Sequence, residues 1–316
     1  MFTFLTISYN QEKFIIQHLE SIKYQIENFG ENNDFKFILS DDCSKDRTVE
    51  FAMKWIELNS DLFNEVAILR SEKNEGIVAN YFKGINAIDI DRFKCLAGDD
   101  LYYKNNIFEV EDNDLVFTPT IEFNDSDTVR INPLATAFLI QNKEIHRLRK
   151  LINYSNIFNA PGTFIKSKLI KDPQLTAFVS QYNWIEDYPT WHYIFNNVGN
   201  VSYSIKHIPY ILYRTSIGIS INENNQKYDE FTKERELMRK DLKMKLYKYP
   251  KYLNPFMYYW GLIKYKLKYL DIKINPEIRE FNARIEKEIS GAPEYISEIR
   301  NNANKFHEKI RERVQS

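Results

Sequence analysis

Short apolar runs alternate with amphipathic stretches along the N-terminal part of the chain. Five runs rich in Phe, Ile, Val and Leu occupy 2–7, 35–39, 66–69, 93–97 and 114–118. Runs of this length, made of β-branched and aromatic residues, are typical of buried strands. The pattern therefore predicts four successive strands and a fifth at 114–118.

The stretches between these runs carry apolar residues at helical spacing. One stripe contains Ile15, Leu19, Ile22 and Ile26, and the face predicted for a second helix contains Val49, Met53 and Ile56. Ser44 or Asp46 is positioned to cap the second helix, and a third helix is predicted over 77–88. Strands and helices that alternate in this way form βαβ units, which predicts a Rossmann-like α/β fold with a mixed, mostly parallel sheet flanked by helices.

Polar residues follow the predicted strands at the point where each strand ends. They are Ser8-Tyr9-Asn10, Asp41-Asp42, Lys73-Asn74 and Asp99-Asp100. Ligands of open α/β sheets bind outside the carboxyl ends of the strands, so these four groups predict one shared pocket. The sequence contains no glycine-rich phosphate loop of the Rossmann or P-loop kind. We therefore expect a metal ion, held by the acidic pair, to neutralise the phosphates.

Each of these groups also has a plainer interpretation. Gly98-Asp99-Asp100 either holds a metal-bridged diphosphate or forms a solvated turn after a strand. Asp41 and Asp42 either accept the N–H of a nucleobase or form a turn before a helix. Tyr9 is either a core aromatic or a ring stacked on that base.

Four segments, taken in order and spacing, resemble the nucleotide-sugar domain of family 2 glycosyltransferases. The segments are Thr6-Ile-Ser-Tyr-Asn-Gln, Ser40-Asp-Asp-Cys-Ser-Lys-Asp-Arg-Thr48, Asn74-Glu-Gly-Ile-Val-Ala-Asn80 and Gly98-Asp-Asp100. The resemblance extends from the start of the chain to about Ser220. It implies the GT-A fold, inverting sugar transfer from a nucleotide-diphosphate sugar, with UDP favoured, and a Mn²⁺ or Mg²⁺ cofactor.

The resemblance also implies roles for individual residues on the donor side. The donor contacts it implies are Thr6, Ser8, Tyr9, Asn10, Asp41, Lys73, Asn74, Asn80 and Asp99. Among these, Asp41 is expected to bind the base, while Asp99 is expected at the ribose or sugar phosphate and beside the metal. Asp100 is expected to bind the metal. The sequence departs from the fuller Asp-x-Asp-Asp pattern because Ala97 stands at its first position, so one carboxylate of the metal site is missing.

Three later segments resemble the acceptor half of the same domain. They are Asn159-Ala-Pro-Gly-Thr-Phe-Ile-Lys-Ser, Trp184-Ile-Glu-Asp-Tyr-Pro-Thr-Trp191 and the stretch 210–220. The middle segment implies Asp187 as the catalytic base, with Glu186 as the fallback base or an acceptor-positioning group. The same two acids are also suited to cap a helix that begins near Pro189. Arg214 either pairs with the donor diphosphate or forms a structural salt bridge.

Charge and composition exclude several other classes of protein. The net charge is -1, so no global field attracts nucleic acid. Only Cys43 and Cys95 are present, which is no disulfide framework and favours a reduced, cytoplasmic setting. The longest apolar stretch, 256–263, is far shorter than a membrane-spanning helix. Met1 is followed at once by a strand-like run, so we expect no signal peptide.

The pattern becomes helical and basic after residue 225. Lys and Arg dominate 239–273 and are interleaved with aromatic residues, which predicts either peripheral contact with an anionic membrane or a packed helix pair with a solvated face. The charged segment that starts at Pro276 is expected to cover the domain or to mediate oligomers. We therefore expect a nucleotide-sugar half at 1–110, an acceptor half at 111–225 and a helical extension at 226–316.

The leading hypothesis is an enzyme that adds one sugar to a glycan, a glycolipid (including a lipid-linked glycan) or a glycoprotein, of the bacterial surface-polysaccharide type. A second hypothesis, from another class, is a non-catalytic nucleotide-sugar-binding or scaffold subunit. It is disfavoured because a silent copy has no reason to keep both Asp100 and Asp187. A third, a nucleotidyltransferase, would need a basic glycine-rich segment near the N-terminus, which 6–13 lacks.

Overall fold

The computed structural model describes residues 1–31, 33–125, 129–131, 140, 143–153, 156, 158–216, 227–242 and 275–315. Its first layer is a four-stranded parallel sheet of order β3-β2-β1-β4. The strands are β1 (Phe2–Ser8), β2 (Phe35–Asp41), β3 (Glu65–Arg70) and β4 (Phe93–Ala97). Ser8 pairs with Asp41, and Ile7 pairs with Ala97. The carboxyl ends of β1, β2 and β4 therefore meet at one edge, as the sequence predicts.

Three helices connect these strands. They are α1 (Ile15–Phe29), α2 (Thr48–Leu58) and α3 (Ile77–Asn86). The predicted stripe of α1 is confirmed at Ile15, Leu19 and Ile22, which are fully buried. The predicted face of α2 is confirmed at Val49, which is buried, and is wrong at Met53, which is 55% exposed, while Ala52 and Trp55 are fully buried. The Trp55 side chain sets this rotation, since its indole N–H donates to the half-buried carboxylate of Glu20 at 2.6 Å.

The predicted fifth strand exists but lies outside the first sheet. It is β6 (Leu115–Phe117), which pairs in parallel with β10 (Tyr203–Ile205) and antiparallel with β9 (Thr163–Ile165). A third sheet has the order β5-β11-β7-β8. Its strands are β5 (Leu101–Tyr102), β7 (Thr120–Phe123), β8 (Val129–Ile131) and β11 (Ile211–Arg214). The mixed, mostly parallel α/β class predicted from the sequence is confirmed.

The remaining helices follow the acceptor-side segments of the sequence. They are α4 (Ile145–Ile152), α5 (Ser167–Ile170), α6 (Pro173–Val179), α7 (Asp187–Asn197), α8 (Tyr228–Asp241) and α9 (Pro276–Gln315). Helix α7 begins at Asp187, close to the start near Pro189 that the sequence predicts. Helix α8 lies against the segment that leads into α7. These two helices form one side of the site described below.

Helix α9 covers the domain, as one of the two sequence interpretations predicts. Its apolar side inserts Ile296 and Ile299 beside β5, and Phe306 beside α1 and α2. The Tyr295 hydroxyl donates to the Tyr102 carbonyl at 2.7 Å. The back of the acidic turn at Asp99 and Asp100 is thus connected to α9, while oligomer formation through α9 stays a prediction.

The predicted membrane-contact region at 239–273 lies outside the described residues, except for 239–242. In the parts of the chain that the structure describes, each helix is too short or too polar to cross a bilayer. The proposed three-part division of the chain stays a prediction.

Candidate active site

A cleft of about 1260 Å³ opens at the carboxyl edge of the parallel sheet. It gathers predicted site residues that are distant in the chain: Ser8, Tyr9, Asn10, Asn74, Asn80, Asp99, Asp100, Glu186 and Asp187. The predicted carboxylates for the metal and for proton transfer therefore share one hollow. Four predicted donor contacts, at Thr6, Asp41, Lys73 and Arg214, do not belong to the described cleft walls.

The acidic turn after β4 is held in place by side chains on its own side of the cleft. Gln11 Nε2 donates to Asp99 Oδ1 at 2.8 Å, and the Arg214 backbone N–H donates to Asp100 Oδ1 at 2.8 Å. Burial raises the pKa of both carboxyls, and the charge of Asp99 raises the pKa of Asp100 further, well above its ordinary value. Gly98 leaves room for this contact, because a Cβ there would stand 2.6 Å from Gln11 Oε1 and would displace the Gln11 side chain. Gln11 is a site residue that the sequence interpretation missed.

Arg214 forms the structural salt bridge that was one of its two interpretations. Its side chain is 1% exposed and pairs with Asp125 at 2.8 Å. The other guanidinium nitrogens donate to the Asp99 carbonyl and to Gln17, each at 2.9 Å. The rings of Phe14 and Phe123 lie 4.3 and 4.4 Å from the guanidinium carbon. With its donors engaged behind the turn, Arg214 positions the acidic pair.

His18 is a second support that the sequence did not reveal. Its Nδ1 lies 2.7 Å from the Asp100 carbonyl, and its Nε2 lies 2.8 Å from Thr6 Oγ1. A carbonyl can only accept, so Nδ1 carries the proton and Nε2 accepts from the threonine hydroxyl. Burial lowers the pKa of His18 to about 4, which keeps the ring neutral at neutral pH. Thr6 therefore contacts His18 in this structure, and its predicted donor contact stays a prediction.

Asp41 and Asp42 are adjacent in the chain but make different contacts. Asp41 is fully buried and accepts from Ser8 Oγ at 3.0 Å and from the Ser44 backbone N–H at 2.9 Å, which is the turn interpretation. Asp42 lines the cleft and accepts from the backbone N–H groups of Glu75 and Gly76 at 2.7 and 3.0 Å. Base recognition by Asp41 stays a prediction. Asp42, for which the same two interpretations were open, fixes the start of α3 through these two hydrogen bonds.

The aromatic walls of the cleft face each other across Lys227. Tyr9 is 40% exposed and lines the cleft, so it is not a core residue. Lys227 Nζ lies 5.6 Å from the centre of the Tyr9 ring, 4.4 Å from that of Trp184 and 2.7 Å from Asn74 Oδ1. Lys73, which precedes Asn74 in the chain, is exposed on the surface. The start of α8 thus joins the donor side of the cleft to the acceptor side.

Glu186 and Asp187 differ in their surroundings at the start of α7. Asp187 accepts from Asn156 Nδ2 at 2.7 Å and from the Tyr188 backbone N–H at 2.5 Å. Burial raises the pKa of Asp187, and these hydrogen bonds oppose the rise. Burial and the charge of Asp187 raise the pKa of Glu186 to about 8. Asp187 therefore ionises first, and Glu186 stays protonated at neutral pH.

The segment that carries these two acids is fixed by α8 and α3. Glu234 on α8 accepts from the backbone N–H groups of Asn183 and Trp184 at 2.8 and 2.7 Å. The Val78 backbone N–H donates to the Asn183 carbonyl at 3.1 Å. Glu234 was missed because its partners are backbone groups in a distant part of the chain, which no local motif marks.

The model of the family described as glycosyl transferase family 2 matches residues 3–166, just over half of the chain. This chain belongs to glycosyl transferase family 2. The family match contains Asp99 and Asp100 and ends before Glu186 and Asp187, so the assignment of the base rests on the residues described above. No curated protein matches the chain significantly.

Solved structures confirm the GT-A fold of this family 2 chain. Residues 1–349 of S. aureus TarS, in complex with UDP-GlcNAc, superpose with a TM-score of 0.52 at 18% identity, covering 75% of this chain and 64% of that chain. The complex of the same protein with UDP gives a TM-score of 0.50 at 16% identity, covering 99% of this chain and 92% of that chain. At these identities the likeness concerns the fold.

Proposed function

We propose that this family 2 chain transfers a sugar from a nucleotide-diphosphate sugar to an acceptor hydroxyl, with inversion and with the help of a divalent metal. A UDP-sugar is favoured as donor, and the fold neighbour TarS binds UDP-GlcNAc. The acceptor is a glycan, a glycolipid or a glycoprotein of the bacterial cell surface. One observation carries the proposal: Asp99-Asp100 and Glu186-Asp187 line the same cleft.

The acidic turn fits a Mg²⁺- or Mn²⁺-type ion. Such ions take one or two carboxylates and complete their coordination with phosphate oxygens and water. Asp100 and Asp99 supply the carboxylates, and no group of three or more His, Cys, Asp or Glu ligands occurs among the described residues. The protein therefore offers a partial site, which the donor diphosphate would complete. When bound there, a divalent ion neutralises the negative charge that develops on the leaving nucleotide.

Asp187 is the base of the proposed reaction. It removes the proton of the acceptor hydroxyl as that oxygen attacks the anomeric carbon opposite the leaving diphosphate. Asn156 and the start of α7 fix its orientation. Glu186, neutral beside it, is available to donate a hydrogen bond to the acceptor. Tyr9 and Asn74 bound the side of the cleft that would receive the nucleotide.

The test combines donor binding with product analysis. UDP-, GDP- and dTDP-sugars are screened by thermal shift with Mn²⁺, and nucleotide release is then measured with water as acceptor. We expect Asp100→Ala to lose metal-dependent donor binding, because it removes a carboxylate from the partial site. Lys240→Ala, a change at an exposed position of α8, is the control and should bind the donor normally.

The same assay separates the two alternatives. A non-catalytic scaffold would bind a donor and release nothing from it. A nucleotidyltransferase would release pyrophosphate instead of a nucleoside diphosphate. Slow release of UDP from a bound UDP-sugar supports the transferase, whereas metal-dependent donor binding that survives in Asp100→Ala would refute the proposed donor site.

A further inference from the structure

The cleft wall formed by α8 carries two arginines that the proposed reaction does not use. Arg235 and Arg239 are four residues apart, so their side chains lie on one face of the helix. Both line the cleft, together with Phe231 and Met238 of the same helix. Arg239 also pairs with Glu236 of the same helix at 3.0 Å, so the pair of arginines carries a net charge of about +1 with that carboxylate included.

Arg235 has an unfulfilled hydrogen-bonding requirement. Its Nε–H is buried, and none of the described residues accepts from it. The guanidinium carbon of Arg235 lies 5.5 Å from the centre of the Phe231 ring, which offers no hydrogen-bond acceptor oxygen. Leaving a buried donor without a partner is unfavourable, and more so when the donor belongs to a charged group. A ligand that brings an acceptor oxygen to this place would remove that cost.

The position of α8 places both arginines on the acceptor side. Their neighbour Glu234 binds the backbone just ahead of Glu186. The positive charge of Arg239 lowers the pKa of Tyr188, the residue after Asp187, against the effect of burial. By contrast, Arg214 contacts the acidic turn directly, since its Nε donates to the Asp99 carbonyl at 2.9 Å. The arginines of α8 therefore line the cleft on the helix that holds the segment of the base, whereas Arg214 is bound at the acidic turn.

We propose that Arg235 and Arg239 form an anion subsite that binds a phosphate group carried by the acceptor. The proposal rests on the proposed function, since it assumes that an acceptor enters beside Asp187. A neutral sugar needs a base for its hydroxyl but no pair of cations beside it. Guanidinium groups bind phosphate oxygens with paired, charge-assisted hydrogen bonds. A phosphate within a glycan and the phosphate of a lipid carrier share this chemistry.

Titration of the full chain, saturated with UDP and Mg²⁺ so that the donor side is filled, tests the subsite. The probe is glucose 6-phosphate, and glucose is its uncharged counterpart. We expect glucose 6-phosphate to bind at least about tenfold more tightly than glucose, and Arg235→Gln and Arg239→Gln each to remove most of that difference. Lys233→Gln makes the same charge change at an exposed position of α8 and should bind glucose 6-phosphate like the wild type.

A prenyl monophosphate in detergent micelles distinguishes the two sources of phosphate. Tighter binding than glucose 6-phosphate, still dependent on Arg235, assigns the group to a lipid carrier. Equal binding assigns it to a glycan. Both results require the anion subsite.

Three results would overturn the proposal. Glucose 6-phosphate could bind no better than glucose, or it could bind Arg235→Gln as tightly as the wild type. Alternatively, Arg235→Gln could keep glucose 6-phosphate binding but lose affinity for the UDP-sugar, which would assign the arginine to the donor. UDP release in water, measured on the same samples, reports separately on the proposed function. Because Arg239→Gln is a second variant, a folding failure of Arg235→Gln leaves the test intact.

Discussion

Two adjacent carboxyl groups in one cleft cannot both be good bases at neutral pH. Burial disfavours ionisation of both Glu186 and Asp187, and the first charge to form disfavours the second. The hydrogen bonds from Asn156 and Tyr188 stabilise the charge on Asp187. The pKa of Glu186 is raised to about 8 partly by that charge. These contacts support the proposal that Asp187 is the base and that Glu186 is a neutral hydrogen-bond donor.

The two acids should give different pH profiles when they are changed separately. A base acts only when deprotonated, so kcat should rise with pH through the raised pKa of Asp187. Asp187→Asn should reduce kcat by about 10²- to 10⁴-fold and leave UDP binding unchanged. Glu186→Gln should keep this acid limb, because Glu186 is already neutral when Asp187 ionises. It should abolish any inflection near pH 8 that the wild type shows. The measurement is kcat against pH for the wild type and both variants.

The opposite outcome would exchange the roles of the two acids. If Glu186 were the base, Glu186→Gln would lose activity across the whole pH range. Asp187→Asn would then stay active and shift the acid limb below pH 8, since the neighbouring negative charge would be gone.

Some residues of the site can be predicted from local sequence patterns, and others cannot. Asp99, Asp100, Glu186 and Asp187 follow apolar runs or precede a helix, so a local pattern marks them. Asp41 and Asp42 are neighbours with the same local pattern, and only tertiary contacts decide that Asp41 turns into the core while Asp42 faces the cleft. The support of the acidic turn by His18, Gln11 and Arg214 depends on contacts between distant segments, which no local pattern encodes.

Helix α8 is the element that connects the two sides of the cleft. Lys227, just before its first turn, donates to Asn74, and further along the helix Glu234 holds the backbone of Asn183 and Trp184. The acids of α7 therefore owe their position to a helix that comes later in the chain. This arrangement predicts that a change on α8 affects catalysis without touching a reacting group.

Glu234→Ala should lower kcat while donor binding stays near the wild-type value. The change removes two charge-assisted hydrogen bonds, each of which is worth about 1.5–3 kcal/mol, from the segment that carries Asp187. Glu234→Gln keeps one carbonyl oxygen as an acceptor and should lie between alanine and the wild type. Glu230→Ala, an exposed change on the same helix, is the matched control for steady-state kinetics. Wild-type kcat in Glu234→Ala would show that α8 does not position the base.

The elements that the sequence predicts well are those with a strong periodic pattern. The buried runs of β1, β2 and β4 and the stripe of α1 agree with the structure, because both faces of a parallel sheet must be apolar. The run 66–69 also forms a strand, but β3 is at the edge of the sheet and is partly exposed, with Val66 43% exposed. The face of α2 was wrong by one position, since the spacing of Val49, Met53 and Ile56 is helical but so is that of Val49, Ala52 and Trp55. Period alone does not choose between two overlapping stripes; the bulk of Trp55 and its bond to Glu20 do.

At the level of the whole molecule, α9 provides the hydrophobic core behind the acidic turn. Ile296, Ile299 and Tyr295 pack with Leu101 and Tyr103, which closely follow Asp100. The sequence shows that α9 is helical and charged, but its place on the domain follows from contacts between segments at opposite ends of the chain. The apolar side of α9 and the strand after the acidic turn therefore form one unit.

Ile296→Ala should test whether this unit supports the fold or shapes the donor site. Ile296 is fully buried, so the truncation should lower the free energy of unfolding by about 2–5 kcal/mol, measured by urea denaturation. Met53→Ala removes an exposed side chain on α2 and should change it by less than about 0.5 kcal/mol. Because α9 lies behind the turn and outside the described cleft walls, UDP with Mg²⁺ at about 100 times its Kd should still add about 2.7 kcal/mol to the variant. Loss of that increment in Ile296→Ala, with Met53→Ala unaffected, would mean that α9 holds the acidic turn in its binding geometry as well as stabilising the fold.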